Sequence, residues 1–193
     1  MAVTTLDERT ALVLIDLQHG VLAGPRAPHT AAEVIANSAT LAHAFRAHGL
    51  PVVLVRVSFA PDWADSPKGR NESPQPGGLP PEGWDLIVDE IAGHPGDIHV
   101  TKRNWGAFYG TDLDLQLRRR GITQIVLAGI ATSIGVESTA RAAHEHGYHL
   151  ALATDAMTDS DTEAHRHSVG KIFPRLGETG TTTEIVEILD KTR

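Results

Sequence analysis

Gln124 to Ala128 (QIVLA) is a short, continuous aliphatic run bounded by glycines, and it leads directly into Gly129-Ile130-Ala131-Thr132-Ser133-Ile134-Gly135-Val136-Glu137-Ser138-Thr139-Ala140-Arg141. A run with no polar alternation predicts a strand covered on both faces, as in a parallel sheet flanked by helices. Val136, Thr139, Ala140 and Ala143 then recur at helical spacing, with no proline until Pro174. The stretch is therefore a strand that ends, turns sharply through small residues and becomes a helix. In an open α/β sheet such a place binds ligands, and backbone N–H groups at the helix start favour developing negative charge.

The same alternation recurs along the chain. Ala11 to Leu17 (ALVLIDL) predicts the first strand, with Asp16 near its C-terminal end. Thr30 to His48 predicts an amphipathic helix with Val34, Ile35, Leu41 and Phe45 on its apolar side, ended by Gly49. Pro51 to Ser58 (PVVLVRVS) is the second strand, and strand, helix, strand in these lengths argues for a right-handed βαβ unit. Phe59 to Pro81 is rich in Pro, Gly, Asp and Asn, and reads as a long loop that is mobile, part of a site or a subunit contact. Leu86 to Ile91 is a weak element, a short helix or an edge segment. Asp97 to Lys102 (DIHVTK) is a third strand, ending on a charge.

Thr111 with Asp114 resembles a capping box opening a helix that runs to Arg120. Tyr148 to Thr154 is a further strand that ends at Asp155, and a helix from Asp161 to Ile172 is stopped by Pro174. A short strand over 175–178 and a C-terminal helix opened by Thr181 or Thr182 complete the chain. No repeat or linker interrupts 1–193, which predicts a single doubly wound α/β domain.

Composition removes several function classes. The chain has no cysteine, which excludes disulfides, thiolate metal sites and a cysteine nucleophile. Its net charge is -7, and the basic residues are scattered apart from Arg118-Arg119-Arg120 at a helix end, so no basic stripe points to nucleic acid. Met1 to Thr10 carries Asp7 and Glu8 and no apolar core, so no signal peptide or membrane anchor is expected, and the location expected is cytoplasmic.

In a parallel sheet the C-terminal strand ends share one edge, so Asp16, Lys102 and the turn at 129–135 are expected to converge. An acid, a base and a set of amides suit hydrolysis; a structural Asp16–Lys102 ion pair suits the same spacing. Ser133 and Thr132 lie in the turn with no histidine nearby in sequence, which favours hydroxyl-to-backbone bonding. Trp105, Phe108 and Tyr109 either wall a planar substrate or pack under a loop.

ALVLIDLQ with Asp16, TKRNWGAFYGTDLDLQLRRRGI with Lys102, and GIATSIGVESTAR, in that order, resemble the isochorismatase-like hydrolase (cysteine hydrolase) superfamily over 10–189. The resemblance implies a three-layer α/β/α domain around a mostly parallel, Rossmann-like sheet of about six strands, assembled into homo-oligomers, dimers or larger. In the amidase members an aspartate, a lysine and a cysteine carry catalysis; they match Asp16, Lys102 and Gly135, so the nucleophile is missing. Isochorismatases that cleave an enol (vinyl) ether to release pyruvate also carry glycine there. For that reaction Asp16 is the implied proton donor and Lys102 its partner and a ligand for the substrate's carboxylate. The residues around Gly135 resemble the amidase branch more than the siderophore or phenazine isochorismatases.

The resemblance also implies a non-proline cis peptide at Ile130-Ala131, with amides of Ala131 and Gly135 toward the pocket. Substrate-facing positions are then Gln18, Trp105, Phe108, Tyr109, Ile130, Ala131 and Ser133. The partner expected is a small-molecule substrate, with no nucleic acid, membrane or cofactor. The metal pattern of some superfamily amidases, Asp-x-His with a further His after the second strand, is absent, Arg56-Val57-Ser58-Phe59-Ala60 standing in that region. No metal site is expected, and His144, His146, His149, His165 and His167 are read as solvated or interface residues. A catalytically silent member that binds a ligand through the same pocket is the alternative function.

Overall fold

Six segments form one all-parallel sheet in the order β3-β2-β1-β4-β5-β6, from β1 (Thr10–Ile15), β2 (Val52–Val57), β3 (Ile98–Lys102), β4 (Gln124–Ile130), β5 (His149–Thr158) and β6 (Glu178–Gly180). The computed structural model describes residues 3–72 and 80–192. Every residue of β1 and β4 is buried, as the unbroken aliphatic runs require of central strands covered on both faces.

The two faces carry separate cores. On one, helices α2 (Ala31–Ala47) and α6 (Thr182–Thr192) bring Val34, Leu41, Phe45, Ile185 and Leu189 onto Leu12, Leu14, Leu54 and Val126. On the other, α3 (Leu113–Arg119) and α4 (Glu137–Glu145) bring Leu113, Leu117, Ala140 and Ala143 onto Val13, Val53, Ile125 and Leu127. The result is the expected three-layer α/β/α fold, with α1 (His19–Leu22) and α5 (Thr162–His167) as short additions. A capping box starts α2: the Thr30 hydroxyl accepts from the Glu33 N–H at 3.2 Å while the Glu33 carboxylate accepts from the Thr30 N–H at 2.7 Å.

Several boundaries differ from expectation. β5 continues past Asp155 to Thr158, because the Asp155 carboxylate accepts from the Thr182 N–H at 2.7 Å and so caps α6 instead of ending the strand. The Asp161–Ile172 helix is α5 followed by a π-helical turn at Ser168–Ile172, and the last strand lies at Glu178–Gly180. No capping box forms at Thr111: its hydroxyl accepts from the Leu113 N–H, while Asp114 accepts from the Tyr148 hydroxyl at 2.7 Å and pairs with Arg118. Leu86–Ile91 is a run of turns, bridged to Gln18 through Ile87. Of the long loop, residues 73–79 lie outside the described residues. Among the described residues, no helix is long and apolar enough to cross a membrane.

Candidate active site

The parallel order brings the C-terminal ends of β1, β3 and β4 to one edge of the sheet. Along β1, Ala11, Val13 and Ile15 face one core while Leu12 and Leu14 face the other. Asp16 leaves this alternation: its backbone is left-handed, at φ 50°. On β3, Ile98, Val100 and Lys102 share the buried face, so the lysine follows the core side chains inward. The two meet across β2, Lys102 Nζ lying 2.7 Å from Asp16 Oδ2, with side chains 3% and 7% exposed. Lys102 Nζ also donates to the Asn104 carbonyl at 3.1 Å, whereas Asp16 Oδ1 is buried without a hydrogen-bond partner among the described residues. Burial pushes the Asp16 carboxyl up to about 6, against the opposing pull of the Lys102 charge and hydrogen bond.

The third element is the turn after β4. Gly129 stands at φ 121°, and a Cβ there would lie 2.1 Å from the Ile15 carbonyl oxygen, so only glycine lets β4 pass β1 this closely. The Ile130–Ala131 peptide is cis, as the resemblance implies, and the chain enters a π-helical turn at Thr132–Val136 that passes into α4. Asp159, 1% exposed, holds the start of this turn: its Oδ2 accepts from the Ser133 N–H and from the Ser133 hydroxyl, both at 2.8 Å. Gly135 has no left-handed constraint. A Cβ on it would lie 3.0 Å from the Ile15 Cγ2 methyl and 3.4 Å from both Asp16 Oδ2 and the Trp105 carbonyl oxygen.

Asp16, Lys102, Ile130, Ala131, Gly135 and Trp105 line one cavity of about 830 Å3, so these expected residues come together. The others do not line it. Gln18 is fully buried and ties β1 to β2: its Oε1 accepts from the Val57 N–H at 2.8 Å and its Nε2 donates to the Val57 carbonyl at 2.9 Å. Phe108 turns inward against His146 and Tyr148, because the Ala107 N–H donates to the Thr139 hydroxyl and draws this segment under α4. Tyr109 is 79% exposed and away from the cavity, and Ser133 is occupied by Asp159. The expected aromatic wall reduces to Trp105. The rest of the apolar lining, Val21, Val57, Phe59, Trp63, Pro67 and Ile134, was not singled out in the sequence; Phe59, Trp63 and Pro67 belong to the long loop, whose composition left its role open.

One histidine also departs from expectation. His165 is 5% exposed, and its Nδ1 lies 2.8 Å from the Thr132 hydroxyl, so the turn does have an imidazole neighbour, supplied by α5. Burial, with the nearby His29, holds the His165 pKa below the usual histidine value. Thr132 is itself fully buried and does not line the cavity, which leaves this contact as packing behind the turn.

Residues 10–184 match the isochorismatase domain family. The chain is 48% identical over 180 residues to the uncharacterised isochorismatase family protein YecD of Escherichia coli O157:H7, covering 93% of this chain and 96% of that protein. It is 34% identical over 179 residues to the ureidoacrylate amidohydrolase RutB of Pseudomonas syringae, covering 80% of this chain and 71% of that protein. Among solved structures, an isochorismatase family protein from Burkholderia thailandensis superposes with a TM-score of 0.92 at 45% identity, over 96% of this chain and 98% of that one. The N-carbamoylsarcosine amidase of Thermoplasma acidophilum superposes with a TM-score of 0.72 at 26% identity, over 90% of this chain and 96% of that one. The buried acid–lysine pair at the mouth of a parallel sheet thus sits in a protein that belongs to the isochorismatase family of hydrolases.

Proposed function

We propose that this protein hydrolyses a small carboxylated substrate by general-acid catalysis at Asp16, cleaving an enol (vinyl) ether to release pyruvate. The observation that carries the reading is the Asp16 carboxyl itself: buried, raised to about 6, bonded to Lys102 through Oδ2 and without a partner at Oδ1. Such a group is about half protonated at pH 6, and its unpartnered oxygen has no hydrogen bond to give up when it carries the proton. The position matching the family's cysteine is Gly135, and this sequence contains no cysteine to form an acyl-enzyme.

The chemistry then needs one proton and one water. Asp16 protonates the terminal vinyl carbon, the ether oxygen shares its lone pair to form an oxocarbenium ion, and water adds to the cationic carbon. Asp16 recovers its proton from the added water; the hemiketal then collapses as its hydroxyl proton passes to the ether oxygen and the bond from that oxygen to the former vinyl carbon breaks, releasing an alcohol and pyruvate. Lys102 keeps Oδ2 engaged and attracts the substrate's carboxylate; Gly135 leaves room beside the acid.

Incubation with isochorismate tests the reading directly. Pyruvate is expected from the unmodified protein and at least about a hundred-fold less from Asp16→Asn. Absence of pyruvate from folded protein refutes it.

A second reading rests on Gly135 standing where the family's amidases carry cysteine and on the amide-cleaving relatives: a ligand-binding member whose amidase site lacks only its nucleophile. It predicts that Gly135→Cys gains hydrolysis of ureidoacrylate or of an N-carbamoyl amino acid, and it fails if no such activity appears.

A further inference from the structure

Among the described residues only two besides glycines hold a left-handed backbone, Asp16 at φ 50° and Trp63 at φ 57°, and both line the same cavity. A bulky residue is sterically disfavoured in this region and stays there only where its surroundings enforce it, a situation that clusters at functional sites. The surroundings of Trp63 do so. Its N–H donates to the Ala60 carbonyl at 2.8 Å, and its own carbonyl accepts from the Ser66 N–H at 3.2 Å and from the Ser66 hydroxyl and Lys68 Nζ at 2.8 Å each. Asp65 closes the loop, accepting from the Ala60 N–H at 2.7 Å and from Arg103 Nε at 2.5 Å. Arg103 directly follows Lys102, so the loop is tied to the strand that carries the lysine.

Core packing does not account for this arrangement. Trp63 belongs to neither hydrophobic core. Its indole instead lies 5.3 Å from the Phe59 ring and 6.0 Å from Trp84, and of these three Phe59 and Trp63 line the cavity. Trp105 also lines that space, together with Ile130, Ala131, Ile134 and Gly135, which are not aromatic.

We propose that Trp63 is a specificity-determining residue whose indole forms one wall of the substrate site and selects carboxylates that are flat and conjugated over saturated ones of the same size. An aromatic face gains from a parallel or edge-on π system beyond the area it covers, and a puckered saturated ring forfeits that gain. The inference rests on the cavity being the substrate site; it does not depend on which bond is broken there.

Calorimetric titration of the full chain with benzoate and with cyclohexanecarboxylate tests it. The unmodified protein is expected to bind benzoate about five-fold more tightly, Trp63→Leu to bring the ratio to about one by weakening benzoate, and Trp63→Phe to restore most of the preference. Equal binding of the two acids, binding of neither, or a preference that survives Trp63→Leu overturns the proposal. Nuclear Overhauser contacts in the unmodified protein supply a test free of substitution: benzoate protons are expected to contact the Trp63 indole, and contacts confined to Trp84 or Trp105 overturn it. If isochorismate yields no pyruvate while the benzoate preference behaves as described, the enol-ether reading falls and this one stands.

Discussion

If Asp16 delivers the proton, the rate must follow its protonated fraction. With a carboxyl titrating at about 6, roughly nine-tenths is protonated at pH 5 and one-tenth at pH 7, so kcat/KM for pyruvate release is expected to fall about ten-fold over that interval. The partner sets a second sign. Lys102 lowers the Asp16 pKa through its charge and its hydrogen bond, so Lys102→Met is expected to move the titration above 6. Carbon-13 NMR of the Asp16 carboxyl, assigned by its loss in Asp16→Asn, reads the titration even if that variant is inactive. The same shift affects stability. Because folding raises this acid from 3.8 to about 6, the fold holds the proton more tightly than the unfolded chain. This group's contribution is therefore most favourable below pH 3.8 and worsens by roughly 3 kcal/mol as the pH rises through 6. A rate that is flat or rising between pH 5 and 7, or a titration that moves down in Lys102→Met, refutes the assignment of Asp16 as the acid.

Three further outcomes follow from the geometry. Gly129→Ala is expected to cost about 3 kcal/mol or more, read by urea unfolding, because its Cβ would lie 2.1 Å from the Ile15 carbonyl oxygen; Gly93→Ala, also left-handed but with nothing within 4 Å, is expected to cost only about 1 kcal/mol. Arg46→Met is expected to destabilise by about 3 kcal/mol in the same assay, since the Arg46 guanidinium donates to the Ile91 carbonyl at 2.7 Å and lies 2.5 Å from the Asp97 carboxylate, a side chain only 2% exposed. Gly135→Cys is expected to fold within about 1.5 kcal/mol of the unmodified protein, its closest contact being a side-chain methyl at 3.0 Å, and to lower pyruvate release roughly a hundred-fold by occupying the space beside Asp16.

The fold was legible because its central strands are covered on both faces. ALVLI, VVLV and QIVLA cannot alternate with solvent, and that alone calls for a parallel sheet with helices on each side. The meeting of Asp16, Lys102 and the Gly135 turn was legible for a related reason, since parallel strands deliver their C-terminal ends to one edge whatever their separation in sequence. What failed depends on register and on single backbone angles. Gln18 reads as a loop residue until β2 places the Val57 peptide group against both ends of its amide. Phe108 reads as a cavity residue until the Ala107–Thr139 hydrogen bond draws it under α4. Trp63 gave no signal, because nothing in an aperiodic loop rich in proline and glycine marks which residue will take a left-handed turn. Asp155 misled because a carboxylate that caps a distant helix, here α6, looks the same in sequence as one that closes a strand.

Lys102 stands on β3, the strand at the margin of the sheet, and Asp16 follows β1, with β2 between them. Their 2.7 Å contact therefore compounds two separate strand alignments, Leu14 with Leu54 and Val57 with Lys102. Slippage of one residue at either seam would carry the ammonium about 3.3 Å along the sheet and turn it toward the opposite face. The ion pair thus works as a gauge of how well the marginal strand is docked. Fraying of β3 would part the pair and open one core at Ile98 and Val100 while the other stays intact, making loss of chemistry an earlier event on heating than loss of the whole fold.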